Sequence, residues 1–179
     1  YSEDETNENS YSYSYSCLQE FYLKDGRLIA ISLENNGNYY SSNDCTVVQV
    51  FDISDINDIQ VVDEYRQSGY YNSSRMVGDT VYLVTNHYVT PGNKDYYIPY
   101  CGVGEGQEML DADCISKTAS PSESSYLVIG AVDTENGVHN TDTKAIFGAS
   151  STIYCNEDNM FITNAVGSYT FYAGYNPDY

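Results

Sequence analysis

Met76-Val77-Gly78-Asp79-Thr80-Val81-Tyr82-Leu83-Val84-Thr85 is the stretch that decides the fold. A short strand runs into a Gly-Asp turn, and a run rich in valine leaves it. Glycine supplies the positive φ that a tight hairpin demands, and aspartate caps its own turn. The same unit stands earlier at Leu23-Lys24-Asp25-Gly26-Arg27-Leu28-Ile29-Ala30-Ile31 and later at Ile153-Tyr154-Cys155-Asn156-Glu157-Asp158-Asn159-Met160-Phe161-Ile162-Thr163. Between these copies helical periodicity is hard to find. Apolar residues come in runs of about four to seven, punctuated by Asn, Asp, Gly and Ser, which is the pattern of strands.

Outward from the hairpins, each of the first two copies gains further strands. Thr46-Val47-Val48-Gln49-Val50-Phe51-Asp52-Ile53-Ser54 corresponds to Ser125-Tyr126-Leu127-Val128-Ile129-Gly130-Ala131-Val132-Asp133-Thr134, and both runs stop at an aspartate. Ile59-Gln60-Val61-Val62-Asp63-Glu64-Tyr65 then corresponds to Thr143-Lys144-Ala145-Ile146-Phe147. Each leads to a small-residue turn, Ser68-Gly69 or Gly148-Ala149. This order predicts an all-β chain of antiparallel four-stranded meanders, the blades of a β-propeller. The blade repeats fall near residues 17–69, 70–148 and 149–179, about two and a half blades where a closed propeller needs about four to eight. The chain is therefore expected to be an internal piece of a larger ring, completed by the remainder of the same propeller or by a partner chain.

Asp25, Asp79 and Asp158 are expected at equivalent turns. They lie further apart than the roughly 40–45 residues of a bare WD-type blade, so the excess sits in inserted loops at 35–44 and, much longer, at 86–124. Residues 1–10 are acidic and Asn-rich, and read as a disordered leader or linker ahead of the partial propeller of 11–179. Tyr11-Ser12-Tyr13-Ser14-Tyr15-Ser16 alternates strictly with period two, a strand signature.

Gly69-Tyr70-Tyr71-Asn72-Ser73-Ser74-Arg75, continuing into the Met76–Thr85 stretch, resembles a block of a family of secreted bacterial and archaeal proteins. These carry a C-terminal β-propeller domain distantly related to WD repeats. Glu20-Phe21-Tyr22-Leu23-Lys24-Asp25-Gly26-Arg27-Leu28, the runs ending at Asp55 and Asp133, and Ile153 to Ile162 resemble further blocks in the same order. The resemblance covers about residues 17–165 and is most specific from Asp52 to Thr85. It implies an extracytoplasmic location, commonly with an N-terminal membrane anchor, and a propeller several times longer than this chain. It implies no known activity, so it assigns no functional residue. The Tyr/Ser alternation before Glu20 and the cysteines depart from the family's pattern.

Composition narrows the function classes. The 179 residues are enough for one domain with a real core. Seven basic residues against 26 acidic ones give a formal net charge of −19, a field that repels nucleic acid and anionic headgroups. The acidity reads as what keeps an extracellular protein soluble. No apolar stretch is long enough to span a membrane. There is no Trp, but there are 21 Tyr, a residue that packs its ring and keeps its hydroxyl wet.

Five cysteines contain no C-x-x-C pair, and with only two histidines a zinc site is not expected. Cys101 and Cys114 bracket a Gly- and acid-rich segment. A disulfide is predicted there, contributing about 3 kcal/mol by the loop-entropy model. Cys17 with Cys45 is a second pairing, which leaves Cys155 for a partner outside the chain. Gly102-Val103-Gly104-Glu105-Gly106 lacks the preceding strand, following helix and basic residue of a phosphate loop. Ca²⁺ is the one cofactor kept open, with Asp52, Asp55 and Asp58, or Asp111 and Asp113, or Glu157 and Asp158 as ligands. None of these has EF-hand order, and Asp52 reads better as a turn cap.

His87 and His139 read as solvent-facing loop residues, and no G-x-S-x-G elbow accompanies them. Arg75, one of seven bases, is expected to make an ion pair or carbonyl-capping contact between blades, or alternatively to contact an anionic ligand. The expected function is a non-catalytic, extracellular or cell-surface bacterial module, binding a protein or glycan through its long loops and exposed tyrosines. Two alternatives stand beside it: a surface hydrolase acting on glycans, and a structural subunit of an extracellular assembly.

Overall fold

The computed structural model describes residues 12–38, 44–89, 97–119, 124–148, 153–156 and 159–163. The leader at 1–10 and the end of the third repeat lie outside the described residues. The first blade is a meander of β1 (Ser12–Lys24), β2 (Arg27–Asn38), β3 (Asp44–Asp52) and β4 (Gln60–Ser68). The chain then enters β5 (Tyr70–Val77) and β6 (Thr80–Tyr88). The insertion supplies β7 (Tyr100–Val103), β8 (Glu108–Met109), a 3-10 turn at Ala112–Cys114 and β9 (Ile115–Lys117). The second blade resumes with β10 (Ser125–Asp133) and β11 (His139–Phe147), and a hairpin of β12 (Ile153–Cys155) and β13 (Met160–Ile162) follows. The sheet orders are β1-β2-β3-β4-β7-β8 and β5-β6-β10-β11-β9.

The two blades repeat each other in detail. Asp25 and Gly26 both have positive φ (49° and 76°) between paired Lys24 and Arg27, a type I′ turn matched to strand twist. In the second blade only Gly78 has positive φ (63°) between paired Val77 and Thr80. The turn pairs Asp25-Gly26 and Gly78-Asp79 are thus equivalent, and Asp79 stands where the first blade has Gly26, not Asp25 as the sequence alignment expects. Each blade carries two register shifts, at Leu18/Glu20 and Val50/Phe51 in the first and at Tyr71/Ser73 and Ala131/Val132 in the second. The strands ending at Asp52 and Asp133 finish in the same cap, with each carboxylate accepting from the backbone N–H two residues on.

The crossing from first to second blade is one residue long. Gly69 has φ 102°, and a Cβ there would lie 2.6 Å from the Asn86 carbonyl oxygen. Its N–H donates to the Asp44 carbonyl at 2.7 Å, and its carbonyl accepts from Thr46 Oγ1. Only glycine fits a backbone approached so closely at that φ. Gly148 ends the second blade in the same way, donating to the Ser125 carbonyl.

The blades pack face to face through Ile29, Ile31, Val48, Val50 and Tyr65 of the first and Val81, Leu83, Val132 and Val138 of the second. A second cluster, Val84 and Leu127 with Ile146, Ile153 and Met160, seats the β12–β13 hairpin on the far side of the second blade. Three layers therefore stack in chain order.

The segment 86–124, expected to be a loop, contributes short strands to both blades. Residues 86–88 complete β6. The β7–β8 hairpin extends the first blade at β4, where Gln67 faces Cys101, and β9 runs parallel to β11 on the second blade. The insertion covers the last edge of both blades, and edges are what sheet proteins protect.

Candidate functional site

Because both blades run their strands in the same order, their turns gather at one end of the stack. Three of these turns border an open cleft of about 490 Å³ between the blades. Asp25 and Gly26 form one wall, Asp52 and Ser54 of the β3–β4 connection a second, and Thr134 to Gly137 of the β10–β11 turn the third. Val50 and Val62 supply the apolar part of the lining. Drug-sized ligand sites fall in this volume range, about 300–1,000 Å³.

The base of the cleft is clamped. Arg27 donates to Asp79 Oδ1 at 2.7 Å and to the Thr134 carbonyl, so a first-blade side chain holds two second-blade turns. Lys24 Nζ adds 2.8 Å contacts to Asp79 Oδ2 and to the Gly78 carbonyl. Hydrogen bonds from Lys24 and then Arg27 hold the Asp79 carboxyl below the ordinary carboxylate range. Asp52 is held low likewise, by the Ser54 hydroxyl at 2.6 Å and the Ser54 N–H at 2.9 Å. Asp25 and Glu135 are exposed carboxylates with no side-chain partner among the described residues.

Away from the cleft, β1 and β5 meet in a polar cluster. Tyr71 donates to Glu20 Oε2 at 2.8 Å, and Tyr22 shares a 2.8 Å bond with Ser74 Oγ. Burial pushes Tyr71 up to about 12. These groups satisfy one another and fix the first strands of neighbouring blades. Tyr65 and Gln67 form a buried seam on the other side, where Gln67 donates to Thr85 Oγ1 and to the Val128 carbonyl.

The residues singled out in the sequence fall elsewhere. Arg75 is exposed on β5, and its Nη1 donates to the neighbouring Ser74 carbonyl at 2.6 Å. Cys101 and Cys114 are free thiols, as are Cys17 and Cys45. The predicted Cys101–Cys114 disulfide, and the Cys17–Cys45 pairing with it, are corrected accordingly. The 101–114 segment is no slack loop needing a staple. Cys101 sits on β7 at the first blade's edge, beside Thr143 and Asn140 of the second. Cys114 ends a 3-10 turn next to Lys144. The side chain of Cys155 lies outside the described residues.

His87 is also corrected. It belongs to β6, is 5% exposed, and has its ring 6.0 Å from that of Tyr126. The Val81–Thr85 strand simply runs further than its apolar residues do. His139 opens β11 and is exposed. Of the calcium candidates, Asp52 and Asp55 accept bonds from residues two places on in their own turns, and Glu157 and Asp158 lie outside the described residues. Among the described residues no three His, Cys, Asp or Glu side chains are placed to hold one metal ion, and no helix is long and apolar enough to cross a membrane.

Sequence reasoning missed Asp25, Arg27 and Glu135 as a group. The signal was available in the repeat itself, since turns at one end of consecutive blades must converge.

A model of the family described as "Beta propeller domain" matches residues 2–176. No curated protein and no solved structure matches the chain.

Proposed function

This chain belongs to the β-propeller domain family, and from that premise we propose that it is a non-catalytic binding module of an extracellular or cell-surface protein, taking a protein or glycan ligand at the turn-end cleft. The carrying observation is the cleft itself. Two blades and three turns border it, its volume suits a ligand, and Arg27 and Lys24 tie together the turns beside it. Propellers place functional groups on loops over a rigid stack of blades. The insertion, in contrast, is engaged in edge pairing, so the display surface moves from residues 86–124 to the opposite turns.

The strong acidity and the resemblance to secreted propellers support the location. The partner that completes the ring is the remainder of the same propeller or another chain. Its seat is the outward face of the first blade, where Phe21, Leu23 and Val61 are 55%, 64% and 58% exposed.

The test is a nuclear magnetic resonance screen of the isotope-labelled full chain against cationic, anionic and neutral sugar probes. At least one class is expected to shift the amides of Gly26, Ser54 and Gly137. Probes that bind only elsewhere, or nowhere, would remove the cleft from consideration.

A further inference from the structure

We propose that the cleft recognises a cationic side chain, the guanidinium or ammonium of a basic peptide. This rests on reading the cleft as the binding site and names the ligand chemistry for it. The donor and acceptor inventory of the walls is lopsided. Asp25 and Glu135 are acceptors only and have no described side-chain partner. Asp52 takes two bonds from Ser54 on one oxygen, Oδ1, and its other oxygen has no partner among the described residues. The one cation in the lining, Arg27, is already engaged by Asp79 and the Thr134 carbonyl, so it does not neutralise the others. A ligand entering here is asked to donate.

Shape and lining decide among donors. No set of three acidic, His or Cys side chains among the described residues converges on one point, so the carboxylates suit an extended cation better than a bare metal ion. Val62, 47% exposed, is the apolar side chain open to the cleft, and no aromatic ring lines it. Sugar recognition by ring stacking has no platform here, whereas the methylene stem of Arg or Lys packs on such apolar surface while its head meets carboxylates. The chain's net charge of −19 steers cations toward it.

The experiment titrates the labelled full chain with acetyl-Gly-Arg-Gly-amide, with the same peptide carrying citrulline for arginine, and with methyl glucoside. The arginine peptide is expected to shift Gly26, Ser54 and Gly137. Citrulline, or the Asp25→Asn/Glu135→Gln double variant, should weaken binding by about tenfold or more, since the first removes the cation and the second both of its anionic partners. Asn tolerates the positive φ at position 25, so the variant keeps its turn. An unchanged amide spectrum away from the cleft checks that it does. Equal binding of citrulline, retention by the double variant, or shifts spread over the whole acidic surface would overturn the cation proposal. Shifts from methyl glucoside alone would overturn it too, yet leave the cleft as a binding site. Silence from every probe would sink both.

Discussion

Two faces of this molecule are built from equivalent positions of the same blade and are dressed differently. Leu83 pairs with Gly130 on the face the second blade turns to the first, and Ala30 pairs with Gln49 on the face the first blade turns outward. On the covered face, Gly130 leaves the space that Tyr65 and Gln67 fill, and both of these are fully buried. On the outward face, Gln49 donates to Glu64, and Arg66 pairs with Glu64 and Glu34 at 2.8 and 2.9 Å. The backbone unit is the same down to its bulge and its capping aspartate. What lies against a face, more than the blade fold, sets its side chains.

Glycine position 130 gives the largest expected effect. A Cβ there would sit 2.3 Å from Gln67 Oε1 and 2.8 Å from the Tyr65 hydroxyl, both locked in a buried network. Gly130→Ala should cost about 3 kcal/mol, the upper range for overpacking a tight core. Gln49→Ala, at the equivalent outward site, should stay within about 0.5 kcal/mol, as surface changes do. Urea unfolding of the pair measures the contrast. Equal shifts in midpoint would mean the two faces are not as different as their packing indicates.

Neighbouring residues of one strand sharpen the same contrast. Gln67 points into the seam and Arg66 points out. Gln67→Leu takes one buried partner each from the Tyr65 hydroxyl, which keeps only its longer bond to Thr143, and from Thr85 Oγ1, and should cost about 1–3 kcal/mol. Arg66→Met removes a partly exposed ion cluster and should cost about 0–1 kcal/mol. A larger loss for Arg66 would show that its face is buried against something in solution, which is where the rest of the ring is proposed to sit.

How much of this the sequence disclosed depends on the range of the interaction. Strand order, hairpin turns and the capping role of Asp52 are local, and period-two runs with Gly and Asp punctuation carry them. Which edge the insertion would join is not local. Cys101 and Ile115 become strand residues by pairing with Gln67 and Ala145, partners remote in sequence, so the segment reads as a loop and its cysteines as a staple. The cleft was legible only through the repeat, which sets the turns of both blades at one end, and not through any local pattern. Asp25 and Glu135 are ordinary turn residues until two blades stack and bring their turns to one end.

Alkali should act on the covered regions before the exposed ones. Burial pushes Cys45 up from 9.0 to about 11, Tyr71 from 10.0 to about 12, and Tyr65 up as well. These groups hold their protons more tightly folded than unfolded. Their contribution is fully present below pH 9 and is lost as pH rises through 9–12. Thermal unfolding followed from pH 8 upward should show a midpoint falling steeply above pH 9. In Cys45→Ala the first part of that fall should be shallower, and an unchanged curve would place the thiol outside the core.

Acid should act on the clamp, with the smallest effect of the set. The Asp79 carboxyl is depressed by hydrogen bonds from Lys24 and Arg27, so the folded state binds its proton less tightly than the unfolded chain does. The sign is opposite to that of Cys45. Stability from this group is present above the ordinary 3.8 and is lost as pH falls through the lowered folded value. Asp79 is partly exposed, its ion pairs are screened, and salt should weaken them further. Asp79→Asn should therefore cost little at neutral pH and flatten the acid limb below about pH 4. If Asp79→Asn left the acid limb as steep as before, the Lys24 and Arg27 contacts would not be holding this turn in solution, and the clamp beneath the cleft would be weaker than its distances indicate.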